Sequence, residues 1–402
     1  MTAARLDNVD LMAPPIVKTI QQRSLMIGVI FTVISAIGAF LRPEEFFRGY
    51  LLGYMAWLGV TLGSMAILML RHLTKGGWGM VIRRILGAAM RTIPLMALLF
   101  LPILFGLPKL YIWARPLTSN ADAHLQEHLR ELTKSYLSVH GFVIRAVFYF
   151  VIWGVLAFFL TKWSAEQDRP TVRDNTRRFK ALSAAGLILY AFTISFAAID
   201  WVMSLDPNWI STIYGLLFLI GQVLSALCFA VVVERILFDY KPMSQLLKPD
   251  YVHDHGKLML TFIMVWAYFE FSQWLIIWAG NLPEEITWYV RRLNGGWGSI
   301  GLALAMFHFV VPFILLLSRP FKRDVRRLAL LATWLIIMRY LDFLWIIEPN
   351  FSKTFHLTWA DVIVPVAIGG LWLAHFFRNL SAMPLLPAYD VSASEVLEPA
   401  HE

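Results

Sequence analysis

Five polar residues stand inside stretches of this sequence that are otherwise apolar. Glu270 and Gln273 are three residues apart, as are Arg339 and Asp342, so each pair would share one face of a helix. His308 lies in the apolar run between them. A charge at the centre of a bilayer costs roughly 2.5 to 3.5 kcal/mol on insertion scales, so residues of this kind are functional candidates by default.

Other polar residues fall toward the ends of apolar runs. Asp200, in the outer third of the fifth run, is a primary candidate together with the five residues above. The secondary candidates are Arg91, Arg145, Ser204, Asp206, Glu348 and Asp361. Chains of Asp, Glu and His relay protons in membrane proteins, so this distribution predicts a polar track from the midplane to the outer surface. The alternative is structural: Arg339 with Asp342, and Arg145 with one outer Asp, would be ion pairs that fix helix packing.

Other site chemistries find less support in the sequence. A buried b-type haem needs several histidines at matching depths, and only His308 lies deep in a run. His124 and His128, four residues apart, could share a metal, although such a pair is more often a solvated helix face. The single cysteine, Cys228, allows neither a disulfide framework nor a C-x-x-C-H haem attachment, so any redox centre is expected on a partner.

The most distinctive stretch is rich in aromatic residues around a carboxylate. Glu270, Ser272 and Gln273 are surrounded by Trp266, Tyr268, Phe269, Phe271, Trp274 and Trp278. Aromatic side chains beside a buried carboxylate could line a quinone pocket. They could equally face lipid or fill the space between helices.

The elements that position these residues are predicted to be transmembrane helices. Of the 402 residues, 58% are hydrophobic and 15% charged, against roughly 25% charged in soluble domains. Apolar runs long enough to cross a bilayer recur along the chain, near 25 to 41, 50 to 70, 84 to 107, 142 to 162, 180 to 205, 210 to 233, 257 to 279, 297 to 318, 328 to 347 and 358 to 377. The fold class is therefore an all-α integral membrane protein of about ten helices. No run is typical of a cleaved secretory signal.

The basic residues predict the orientation of those helices. With ten crossings, 23 Lys and Arg fall on the side of the termini and nine on the other, so both termini are expected in the cytoplasm. Their dispersal among loops, at a net charge of +8, favours a membrane surface over nucleic acid as partner. The predicted organisation is a cytoplasmic segment 1–24, a membrane domain 25–378 and a cytoplasmic tail 379–402.

A Gly-Gly-Trp-Gly sequence occurs twice, at 76–79 before the third predicted helix and at 295–298 before the eighth. Glycine permits tight turns and tryptophan gathers at membrane interfaces, so each copy predicts a turn with an interfacial anchor. The repetition is weak support for an internal repeat.

Four stretches also carry a resemblance to a known family. They are AWLGVTLGSMAILMLRHLTKGGWGMVIRR at 56–84, FAAIDWVMSLDPNWISTIYG at 196–215, the stretch at 257–292, and GGWGSIGLALAMFHFVVPFILLLSR at 295–319. Across nearly all of its helical portion the chain resembles the NrfD/PsrC-like membrane subunits, and most closely the ActF type found in alternative complex III, a bacterial quinol:electron acceptor oxidoreductase.

The resemblance implies two four-helix bundles, helices two to five and six to nine, with helices one and ten outside them, in the bacterial cytoplasmic membrane. It implies as partners a sister NrfD-like subunit of the ActC type, a periplasmic iron–sulfur subunit, multihaem and monohaem cytochrome c subunits, and small membrane subunits. Quinol, haem c and iron–sulfur clusters would belong to those partners. This chain would support the assembly and carry protons, with Asp200, Glu270, His308, Arg339 and Asp342 at the polar positions of the matching segments.

Two alternatives remain open at this stage. The chain could hold its own quinol pocket, near Asp200 and Asp342. It could instead be a secondary transporter with a site at broken helices. Pro94 and Pro102 interrupt the third predicted helix, but the sequence shows no matching interruption in the other half.

Overall fold

The computed structural model describes residues 11–74, 76–115, 131, 134, 136–168, 174–387 and 390. His124, His128 and the last twelve residues lie outside this part. Within these described ranges, ten helices are long and apolar enough to cross a membrane, which confirms the predicted number. They are α1 (Pro15–Leu41), α2 (Pro43–Thr74), α3 (Gly77–Phe105), α4 (Val139–Glu166), α5 (Thr176–Leu205), α6 (Tyr214–Leu237), α7 (Pro249–Gly280), α8 (Trp297–Leu317), α9 (Val325–Asn350) and α10 (Ala360–Ser381).

Several helices begin earlier than their apolar runs. The first turns of α1, α2 and α7 open with Pro15, Pro43 and Pro249, which suit a first helical position because their missing N–H would have no helical partner there. The segments between these prolines and the apolar runs contain charged and polar residues, so a search for apolar runs does not include them. A short amphipathic helix, Pro283–Leu293, lies between α7 and α8.

Helices α2 and α6 form the centre of the packing. The described chain packs α2 against α3, α5, α6 and α10, and α6 against α7 and α9. In contrast, α1 packs chiefly on α10. Gly28 and Gly370 face each other there so closely that a Cβ on either would overlap the backbone of the other helix. The two described ends of the chain also meet, because the Leu385 amide donates to the Leu11 carbonyl at 2.7 Å.

Two helices are irregular in their course. Helix α3 is divided into Gly77–Met90, Ile93–Leu99 and Leu101–Phe105, because Pro94 and Pro102 lack the N–H groups that would continue it. Helix α8 contains one π-helical segment, Ala305–Val310, just before Pro312, which cannot donate to the His308 carbonyl one turn back. Helix α8 stays continuous through this segment, so the described chain shows a π-helical irregularity in α8 where α3 is broken.

Both Gly-Gly-Trp-Gly sequences form the predicted turns, in conformations that suit glycine. Gly76 has φ of 101°, and Gly295 and Gly296 have φ of 62° and 89°. The anchoring role expected of the tryptophans fails for Trp297, which is completely buried and donates its indole N–H to the Ser352 carbonyl at 3.2 Å. The turns thus precede α3 and α8.

The crossing of α2 and α6 yields a test of this packing. A Cβ on Gly63 would lie 2.0 Å from the backbone oxygen of Gln222. Because backbone cannot move aside, Gly63→Ala is expected to lower the free energy of unfolding by about 1 to 3 kcal/mol. Gly154→Ala is the matched control, since a Cβ on that helical glycine meets nothing within 4 Å. Chemical unfolding in detergent measures both, and equal stability of the two variants would contradict the crossing.

Candidate functional site

Arg339 and Asp342 form the central ion pair of the membrane domain. One Nη of Arg339 donates to Oδ2 of Asp342, and both side chains are buried. Nε and the other Nη of Arg339 make no hydrogen bond within the described part of the chain. The guanidinium lies 4.2 Å from the ring centroid of Phe343. Gly221 on α6 leaves room for it, because a Cβ there would lie 2.3 Å from the Arg339 Cζ.

A cavity of about 650 Å³ lies beside this pair, between α7, α8, α9 and helix Pro283–Leu293. Glu270, which is half-buried, and Asp342 supply its carboxylates. The volume falls within the range of small-molecule sites, which are mostly apolar with a few convergent polar groups. The other lining residues are mainly apolar or aromatic: Met264, Trp266, Ala267, Tyr268, Phe271, Trp274, Tyr289, Leu293, Gly301, Leu304, Ala305, Phe309 and Trp345.

His308 lies directly behind the cavity wall. Its imidazole is completely buried and stacks on Trp266, with the ring centroids 4.1 Å apart and the planes 15° from parallel. Neither ring nitrogen makes a hydrogen bond with a described residue. The histidine belongs to the π-helical segment of α8, a local geometry that is frequent at functional sites.

A second cavity, of about 460 Å³, lies on the other side of the ion pair. Residues of α1, α2, α6, α9 and α10 line it, among them Arg339 and Asp361. The ion pair therefore separates two cavities, with Asp342 on one and Arg339 on the other. Asp361 accepts hydrogen bonds from the amide and hydroxyl of Thr358 at 2.7 and 2.8 Å, while its Oδ1 has no hydrogen-bond donor among the described residues.

Two of the predicted residues take part in links outside the cavities, and a third, Glu348, is buried away from them. The Ser211 hydroxyl donates to the side-chain oxygen of Gln273, so this glutamine holds the loop after α5. Asp206 pairs with Arg291 at 2.8 Å and joins the end of α5 to helix Pro283–Leu293. Glu348 is buried at the end of α9. Glu270 and Gln273 thus have separate surroundings, although three residues separate them in sequence.

Asp200 belongs to a different, closed cluster. Arg145 donates to both carboxylate oxygens at 2.9 Å, and the Tyr149 hydroxyl donates to Oδ2 at 2.7 Å. The Ser204 hydroxyl donates to the backbone carbonyl of Asp200 at 2.5 Å. Asp200 has no exposed surface, and this satisfied pairing is the arrangement expected of a structural ion pair. Arg91 lies elsewhere, half-buried beside a small pocket that His72 also lines.

Sequence reasoning missed Arg292, which is completely buried although helix Pro283–Leu293 is short and amphipathic. Its guanidinium lies 3.5 Å from the ring centroid of Trp288 and donates to the carbonyls of Ile346 at 2.6 Å and Trp345 at 3.2 Å. Burial lowers the pKa of Arg292 to about 9. A cation suits the carbonyl end of a helix, so Arg292 fastens the short helix to α9.

Tyr289, on the same short helix, lines the cavity, and its buried hydroxyl makes no hydrogen bond with any described residue. Burial, and then the nearby Glu270, raise the pKa of Tyr289 well above its ordinary value. The hydroxyl therefore keeps its proton and can both donate and accept. No sequence signal placed this tyrosine near Glu270, because the contact depends on how the short helix folds back.

Two further buried clusters on the side of the termini were also missed. Glu234 and His255 have no exposed surface, and Oε2 of the glutamate lies 3.1 Å from Nδ1 of the histidine. Nε2 of His255 lies 2.9 Å from the Trp78 carbonyl, which belongs to the first Gly-Gly-Trp-Gly turn. Arg83 and Arg84, also buried, pair with Asp390 and Asp168. These residues lie at the ends of predicted apolar runs, where apolar periodicity carries no signal of burial.

The fold and these buried charges define a multi-pass helical membrane protein. Comparison of the sequence with protein-family models gives no match, and comparison with curated proteins gives none either.

Proposed function

We propose that this chain is an integral membrane subunit of a bacterial alternative complex III, which supports quinol oxidation and carries protons through its buried carboxylates. The four stretches that resemble the ActF type support this proposal. In this proposal α2–α5 and α6–α9 form two four-helix bundles in the cytoplasmic membrane, α1 and α10 lie outside them, and both termini are cytoplasmic. The packing of α1 on α10 is compatible with that arrangement.

One observation carries the proton path. Glu270, Asp342 and Arg339 meet at the boundary between two cavities inside the membrane domain. Buried ionisable groups in membranes are costly, and beside cavities that can admit water they mark proton or ion routes. The route runs from Glu270 across the first cavity to Asp342. Asp361, on the second cavity, provides the next carboxylate.

Arg339 has a defined part in this route. Its guanidinium holds Asp342 in place, and the nitrogens that make no hydrogen bond with a described residue lie against Gly221 on α6. Asp200 takes no part, because Arg145 and Tyr149 occupy its carboxylate.

Electron transfer belongs to the partners in this proposal. Quinol oxidation occurs at the sister ActC-type subunit, and electrons pass through the iron–sulfur subunit and the multihaem and monohaem cytochrome c subunits. Small membrane subunits and lipid cover the apolar outer faces. Helix α4 offers such a face, since Ile144, Val147 and Phe148 are all exposed.

Glu270→Gln tests the proton path. The amide keeps the shape of the side chain but cannot exchange a proton, so the complex is expected to assemble and oxidise quinol while it releases fewer protons to the outside. Proton release per electron, measured in proteoliposomes, gives the result. Glu284→Gln, at an exposed carboxylate on the adjoining helix, is the control and should leave release unchanged. An unaltered proton yield in Glu270→Gln would remove the proton path from the proposal.

A second candidate function is a secondary transporter, and the irregular helices favour it. Helices α3 and α8 each follow a Gly-Gly-Trp-Gly turn, and both depart from regular α-helix. Paired irregular helices in two halves are typical of transporter sites. The polypeptides that copurify in mild detergent distinguish the two functions: covalent haem on a partner supports the complex, whereas a lone active chain supports the transporter.

A further inference from the structure

The short helix between α8 and α9, Arg319–Arg323, carries a lysine whose stem is buried. Lys322 is only 8% exposed, because its stem packs against Gly256 on α7, where a Cβ would lie 2.6 Å from the Lys322 Cγ. Its ammonium group keeps accessible surface and makes no hydrogen bond or ion pair within the described part of the chain. The neighbouring Arg323, in contrast, pairs with Asp250 at 2.9 Å. A largely buried cation without a counter-charge is costly, so this position favours an anion.

The surroundings of this ammonium group are basic. His253 and Lys257, both on α7, lie close enough to Lys322 to interact with it electrostatically. Arg319 is exposed, lies near His253 and has no ion pair with any described residue. Lys257 differs, because it pairs with Asp254 at 3.0 Å. Burial, and then the nearby Lys257, lower the pKa of Lys322. Lys322 and Arg319 are thus two neighbouring cations that no described carboxylate neutralises.

Exposed apolar side chains adjoin these cations on the side of the membrane interior. Ile314 and Leu317, in the last turns of α8, are 60% and 58% exposed, and Leu330 on α9 is 74% exposed. At the end of a membrane-spanning helix, such side chains lie beside lipid tails, while the adjacent cations lie beside lipid head groups. A ligand that matches both parts has an anionic head and apolar tails. Inorganic phosphate would match the cations alone.

We propose that Lys322 and Arg319 bind the phosphate of an anionic phospholipid, in the leaflet on the side of the termini, with its tails against Ile314 and Leu317. Basic sites between transmembrane helices bind anionic head groups, and each cation near the surface strengthens binding by roughly fivefold. Phosphatidylcholine would bring its own cation toward the two cations of the chain, so it binds more weakly. None of the residues of the proposed proton route belongs to this site, so the two proposals can fail separately.

Native mass spectrometry of the full chain in detergent, titrated with phosphatidylglycerol or phosphatidylcholine, tests the site. We expect phosphatidylglycerol to bind at least about fivefold more tightly than phosphatidylcholine of the same tail length. Lys322→Met keeps an apolar stem but removes the charge, so it should lower the affinity for phosphatidylglycerol at least about fivefold. Lys180→Met, at an exposed lysine of α5 on the same side of the membrane, is the matched control and should leave that affinity unchanged.

Gly256→Ala distinguishes a specific site from general attraction to a basic surface. The added methyl group displaces the stem of Lys322 without changing the charge of the chain. A specific site therefore loses affinity for phosphatidylglycerol, again at least about fivefold, whereas general attraction would persist. Size-exclusion profiles identify any variant that does not fold. Equal binding of the two lipids, equal losses in Lys180→Met and Lys322→Met, full affinity in both folded site variants, or complete displacement of the lipid by inorganic phosphate would overturn the proposal.

Discussion

Arg339→Ala is expected to lower the free energy of unfolding by about 3 to 5 kcal/mol. The substitution leaves Asp342, which is buried to 1% exposure, without the guanidinium that donates a hydrogen bond to its carboxylate and balances its charge. It also removes the cation that packs over Phe343. Chemical unfolding in detergent measures the loss, and reduced yield of folded protein should accompany it.

The double variant Arg339→Met with Asp342→Leu separates the ion pair from the packing. Replacing both partners of a buried pair by apolar residues of similar size is often neutral in stability. We therefore expect the double variant to unfold near the wild-type midpoint while proton release is lost. If Arg339→Ala alone were as stable as wild type, the pair would not be the buried contact seen here.

Arg145→Ala is expected to have a comparable effect in the other half of the chain. Asp200 is completely buried, and the variant would remove the guanidinium that balances its charge, although the Tyr149 hydroxyl still donates to it. Removing one partner of such a pair costs about 3 to 5 kcal/mol. The same unfolding assay measures it. Lys257→Ala is the matched control, because its pair with Asp254 at 3.0 Å is exposed on both sides.

The control should change stability by at most about 1 kcal/mol, as exposed ion pairs do. Proton release also distinguishes the pair Arg145 and Asp200 from the pair Arg339 and Asp342. In Arg145→Ala protein that does fold, proton release per electron should match wild type, because the Asp200 cluster lies outside the route. A specific fall in proton release, with stability intact, would instead place Asp200 on the path.

Apolar periodicity predicted the fold well because lipid imposes a strong constraint. Each crossing needs about 20 apolar residues, and a run such as 25–41 satisfies it without reference to any other part of the chain. The pairing of Arg339 with Asp342 could also be predicted from the sequence, since a spacing of three residues places both on one face. The first residues of the helices were harder to predict, because polar segments such as the one that follows Pro249 carry no apolar signal.

The remaining features depend on contacts between distant segments. Gln273 was grouped with Glu270 by helical spacing, yet it bonds to Ser211 because a loop folds back onto α7. Arg292 and Tyr289 reach the site through a short helix whose amphipathic pattern indicates only an interface. The burial of Glu234 with His255 follows from the meeting of α6, α7 and the turn at Trp78. Spacing along one helix carries no information about such meetings.

The close contact of Gly28 with Gly370 has a consequence for membrane insertion. A ribosome delivers α1 first and α10 last, so α1 enters the bilayer long before its main packing partner exists. Until then α1 must be stable as a single helix in lipid, which its nearly uninterrupted apolar sequence permits. Docking of α10 onto α1 is therefore a late event in biogenesis, and a chain truncated before α10 would leave α1 free to diffuse or to be recognised by quality-control proteases.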